Sequence, residues 1–130
     1  MKYKIDIVRI RENSITLNGW VLGKSPESRA TFRVEDERHN PVKYKLVTTR
    51  RDDVSQIYFK KTYDRDFGFD IQFPYERGKT YWLLIRCEGR QAKIKYNEEL
   101  IAKRSSVAHK RMEKIKDLMN METVRVAADF

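Results

Sequence analysis

The chain reads as mainly β: a seven-stranded antiparallel β-sandwich in the immunoglobulin-like size range, followed by one long helix. Three observations predict it. Apolar and polar residues alternate through seven short segments of the first 97 residues, the period of a half-buried strand. Turn-forming clusters separate those segments, as in all-β sandwiches. At Asn97 the period lengthens to about 3.6, that of a helix. A five-stranded oligonucleotide-binding barrel is the architectural rival. The expected division is residues 1–97 as the β module and residues 98–130 as a helix or linker toward a further domain.

Lys2 to Ile10 gives the first strand. Tyr3, Ile5 and Ile7 share one parity, then Val8 and Ile10 switch sides, which predicts a bulge. Ser14 to Gly23 gives the second, with Ile15, Leu17 and Val21 on one face, Thr16, Asn18 and Trp20 on the other, and Gly19 marking a close approach or a bend. These two form a hairpin. Arg29 to Glu35 turns Ala30, Phe32 and Val34 inward, and Val42 to Thr48 alternates Val42, Tyr44 and Leu46 with lysines, so a second hairpin is expected over residues 29–48. Phe67, Phe69, Ile71 and Phe73 share the inner face of a fifth strand. Tyr81 to Glu88 is the sixth, apolar on both faces and therefore central or covered. Gln91 to Tyr96 completes the set, with Lys93 and Lys95 outward. Asn97 is placed to cap a helix whose stripe is Ile101, Ala108, Met112, Ile115 and Met119, a stripe that also offers a homodimer contact. No proline or glycine ends that pattern before Phe130, hence the expectation of a downstream domain.

Thr49 to Phe73 organises the rest. Asp53, with Gln56 three residues on, has the spacing of a capping box and predicts a short helical turn before the aromatic strand. Arg51-Asp52-Asp53-Val54, then a loop, then Gly68-Phe69 resembles the Arg-x-Asp-Val…Gly-Phe signature of a β-sandwich domain that precedes the catalytic domain in bacterial family 2 glycosyltransferases. Ile15 to Trp20, ITLNGW, is similar to that domain's early apolar-x-Gly-Trp strand. The resemblance extends over roughly residues 2–96. It implies that Arg51, Asp53, Gly68 and Phe69 determine the fold, and that the chain is a non-catalytic accessory module in cell-surface polysaccharide synthesis, with transferase activity in the parent chain.

Composition narrows the function classes. Cys87 is the one cysteine, so neither an intramolecular disulfide nor a cysteine-based zinc site is possible. Its parity with Tyr81, Leu83 and Ile85 makes it a buried thiol rather than a nucleophile. The amino terminus lacks the apolar core of a signal peptide and no run reaches the roughly 20 apolar residues of a membrane span. The expected setting is cytoplasmic, at most peripheral to the inner face of the membrane. Net charge is +9. Seven cations against six acids from Glu98 onward leave that part at +1, so the β module holds +8.

Four groups of residues are candidates for chemistry. Asp64-Arg65-Asp66 has the Asp-x-Asp form that holds a metal and a sugar nucleotide in many glycosyltransferases, but that motif belongs to an α/β setting, and the residues also read as a polar loop. Trp20, Tyr58, Tyr63 and Trp82 offer flat faces for stacking on sugar rings or for a partner; the competing reading buries Trp20 and Trp82 beneath the C-terminal helix. Lys4, Arg33, Lys43, Lys45, Lys93 and Lys95, with Arg86, take outward positions and form either a polyanion patch or ordinary solvated edges. The corner residues Arg50, Arg51, Asp52 and Asp53 either contact a ligand or pin the loop to a neighbouring strand. His39 and His109 lack a partner at catalytic spacing, and no phosphate loop or hydrolase motif occurs. No catalytic residue, metal or cofactor is therefore assigned. The expected partners are the downstream catalytic domain, a glycan or a partner protein. The alternative function is a basic module binding single-stranded nucleic acid, with aromatics stacking between lysines.

Overall fold

The computed structural model describes residues 1–103. In chain order its elements are β1 (Lys2–Arg11), β2 (Ser14–Leu22), β3 (Ala30–Asp36), β4 (Lys45–Thr49), helix α1 (Asp52–Phe59), β5 (Gly68–Pro74), β6 (Tyr81–Cys87) and β7 (Arg90–Tyr96). The strands form two antiparallel sheets, one ordered β1-β2-β5-β4 and the other β3-β6-β7. Leu17, Phe69 and Ile71 of the first sheet and Val34, Leu83 and Ile85 of the second are wholly buried in one shared core. Each such side chain contributes about 1.5–3 kcal/mol relative to exposure, which makes this layer the main source of stability.

The first hairpin forms as the pattern predicts. The register of β1 against β2 slips between Ile5 and Ile7, which is the bulge that the change of parity required. Gly19 answers a close approach: a Cβ there would lie 2.1 Å from the carbonyl oxygen of Lys4. β6 is central, between β3 and β7.

The second hairpin does not form. β3 pairs with β6 and β4 pairs with β5, so the chain changes sheets between them. Asp36 accepts the backbone N–H groups of Arg38 and Asn40, both at 2.9 Å, and makes the turn. The connection then runs along the free edge of β3, where Val42 N–H donates to the Val34 carbonyl at 2.8 Å and the Tyr44 hydroxyl to the Phe32 carbonyl at 2.7 Å. Those contacts replace the strand pairing expected from Val42, and β4 starts only at Lys45. Alternation specifies a face and leaves the choice of partner strand open.

The helical turn at the corner is α1, which starts two residues earlier than the capping-box spacing predicts: Arg51 occupies the cap with no side-chain cap bond, and Asp53 lies inside the first turn. The stronger partner for Asp53 is the Arg51 guanidinium. α1 covers the outside of the four-stranded sheet, where Val54 joins Trp20, Leu22 and Phe67 in a second buried cluster. Trp20 is therefore buried beneath α1, and Trp82 lies on the other sheet. Residues 98–103 are helical, with the Leu100 N–H donating to Asn97 Oδ1 at 2.8 Å as expected of the cap, and Ile101 is buried in the main core. The stripe from Ala108 to Met119, the homodimer contact it offers and His109 lie outside the described residues.

Candidate functional site

The corner residues are tied to one another. The Arg51 guanidinium donates to both Asp53 oxygens, at 3.0 and 2.9 Å, and reaches Asp6 on β1 at 2.9 Å. The Asp53 hydrogen bond comes first among the causes that raise the Arg51 pKa, and the same bond comes first in lowering that of Asp53. Gly68 admits this arrangement, since a Cβ there would lie 2.6 Å from Arg51 Cγ and 2.3 Å from Thr49 Oγ1. Phe69, its neighbour, is core and packs 4.8 Å from Phe32, centroid to centroid. Arg51, Asp53, Gly68 and Phe69 thus hold β1, α1 and β5 together.

Asp64 and Asp66 both line a hollow of about 490 Å³ at the end of the sandwich, beside Arg29, Arg65 and Cys87. One oxygen of each has a partner: Arg50 donates to Asp64 Oδ1 at 2.9 Å, and the Thr48 hydroxyl to Asp66 Oδ2 at 2.8 Å. Among the described residues no group of three or more His, Cys, Asp or Glu side chains is placed to hold a metal ion. Cys87 is buried, and burial is the first cause that raises its pKa.

The four aromatic candidates do not share a surface. Trp20 is 7% exposed and packs at 5.4 Å from Tyr58, which is 42% exposed and carries Lys2 Nζ over its ring at 4.5 Å. Tyr63 packs edge-on against Phe59 and Phe67 on the same side. Among the described residues Trp82 is the one aromatic side chain in the outward rows of the three-stranded sheet.

The basic candidates divide in the same way. Lys4 lies on β1, within 3.8 Å of Asp6, and Lys45 borders a shallow hollow on the outside of the four-stranded sheet. Lys43 is exposed on the connection between β3 and β4. Arg33, Lys93 and Lys95 converge on the outer face of the three-stranded sheet.

That face follows from register. Opposed residues of neighbouring strands share a side, so Thr31, Arg86 and Gln91 form one row, Arg33, Leu84 and Lys93 a second, and Glu35, Trp82 and Lys95 a third. Lys93 Nζ lies 4.5 Å and Lys95 Nζ 5.7 Å from the Trp82 ring centroid. Arg33 Nε donates to Glu35 at 2.7 Å, His39 Nδ1 lies 3.4 Å from the other Glu35 oxygen, and Arg86 donates to Gln91 at 3.1 Å. A hollow of about 360 Å³ opens around Leu84, walled by Thr31, Arg33, Glu35, Arg86 and Gln91. Two guanidinium groups, an amide, a hydroxyl and a carboxylate surround an apolar floor beside a tryptophan. Such an arrangement suits polar ligands that have an apolar face.

Thr31, Glu35, Leu84 and Gln91 were not among the sequence candidates. Their outward parity was readable, but the order β3-β6-β7 that aligns them was not. Among the described residues no helix is long and apolar enough to cross a membrane. No family model matches the chain, and no curated protein matches it significantly.

Proposed function

We propose that this chain is a non-catalytic accessory module, of the kind found at the amino end of bacterial family 2 glycosyltransferases, that contacts glycan with the outer face of β3, β6 and β7. The observation that carries the reading is the polar hollow around Leu84 next to Trp82 on that face. Its role is to position a catalytic domain and its growing glycan. The strand order supports the module reading, because β1-β2-β5-β4 against β3-β6-β7 is the order of the seven-stranded immunoglobulin constant-type sandwich, a binding scaffold. The residues of the resemblance support it as well: Arg51, Asp53, Gly68 and Phe69 interlock three elements, a structural role that fits an accessory module.

The nucleic-acid alternative draws on Trp82 between Lys93 and Lys95. It is weaker, because Trp20 is buried and Tyr58 and Tyr63 lie on the other sheet, so this face offers one ring in place of a series.

Calorimetry tests the module reading. The chain is titrated with a sugar nucleotide in the presence of Mn²⁺, and separately with a panel of neutral and acidic polysaccharides. Binding to a polysaccharide without binding to the nucleotide is expected. A sugar nucleotide that binds, and does so less tightly after Asp64→Asn, overturns the reading.

A further inference from the structure

Resting on the reading of this face as a glycan-contact surface, we infer that its ligand is an acidic polysaccharide. Arg86, Lys93 and Lys95 hold its carboxylates, while its sugar rings lie along Leu84 and Trp82.

The charge of the face points to an anion. Arg33, Arg86, Lys93 and Lys95 stand against one carboxylate, Glu35, which is already engaged by Arg33 and His39. Neither Lys93 nor Lys95 has an ion pair among the described residues; both ammonium groups are instead gathered at one indole ring. A cation held against an aromatic face keeps its charge available to an incoming anion and loses less side-chain freedom on binding. Guanidinium groups such as Arg86 match a carboxylate through two parallel donors.

The shape of the face favours a glycan over a nucleic acid. Trp82 and Leu84 follow each other on one side of β6, about 7 Å apart by strand geometry. They form a narrow apolar floor with cations on both flanks, Lys93 and Lys95 on β7 and Arg33 on β3. A uronic acid ring has an apolar C–H face and a carboxylate at its edge, so one residue engages floor and flank together. A single-stranded nucleic acid needs an aromatic platform for each stacked base. This face has one tryptophan, followed by leucine.

The test is calorimetry of the whole chain with polygalacturonate and hyaluronate, with the same polymers after chemical reduction of their carboxyl groups, and with oligothymidylate. The acidic polymers are expected to bind, to lose at least tenfold in affinity on reduction, and to weaken as salt rises. The double variant Arg86→Gln/Lys93→Gln is expected to lose at least tenfold. Lys43→Gln/Lys45→Gln removes the same charge elsewhere and is expected to stay within twofold of the unaltered chain. All these positions are exposed, and an unchanged amide spectrum checks that each variant is folded. Equal binding of the reduced polymers overturns the inference and leaves the module reading standing. Binding by neither form overturns both. Equal losses in the two double variants, or tighter binding of oligothymidylate to this face, overturn it in favour of diffuse charge or of nucleic acid.

Discussion

Gly19 and Gly68 make the most exacting demands of any residues in the chain. They lie on facing strands, Gly19 opposite Phe69 and Gly68 opposite Trp20. On the inner face the missing Cβ of Gly19 leaves room for the Lys4 carbonyl and the Phe69 ring; on the outer face that of Gly68 leaves room for Thr49 and the Arg51 stem. Gly19→Ala is expected to cost at least about 2 kcal/mol, because backbone must move, and Gly68→Ala about 1–3 kcal/mol. Thermal unfolding checks both, with losses of about 4–8 °C per kcal/mol for a domain of this size. The Arg51–Asp53 pair makes a prediction about pH. The folded pKa of Asp53 is lowered, so its pairing stabilises the fold above the unfolded value of about 3.9 and is lost as pH falls below it. Arg51→Gln should therefore be less stable than the unaltered chain at pH 7, with the difference narrowing below about pH 4 in urea titrations. Cys87, buried and with its pKa raised by that burial, is expected to react with a thiol reagent at pH 8 only as fast as the protein opens.

At the scale of elements, α1 decides which aromatic residues are available. It lies on the four-stranded sheet and buries Trp20 through Val54, which is 4% exposed. Val54→Asp places an unpaired charge in that cluster and is expected to cost about 2 kcal/mol or more. In a Trp82→Phe background, where Trp20 alone reports, its emission should shift to the red. This layer also explains what the sequence made legible. The parity of Ile15, Leu17 and Val21 against Trp20 named the two faces of β2 correctly, and of the two places open to the doubly apolar β6, central or covered, the sheet order shows the central one. The pairing of β4 was not readable, because Val42, Tyr44 and Leu46 alternate equally well beside β3 or β5; the Asp36 turn and the Tyr44 hydroxyl carry the chain across. For the same reason Lys4, Lys45, Lys93 and Lys95 looked like one patch until register put them on different sheets.

For the whole molecule, the two sheets divide the work. The four-stranded sheet, with its bulge, its paired glycines and its helical cover, fixes the architecture. Among the described residues no element packs across the outer face of the three-stranded sheet, and that face gathers Trp82, Leu84, Lys93 and Lys95. Amide chemical-shift mapping during titration with acidic oligosaccharides tests this division most directly. The account predicts that the perturbed residues cluster at positions 31–35, 82–86 and 91–95. Perturbations centred instead on the end hollow, at Arg29 and Asp64 to Gly68, would contradict it.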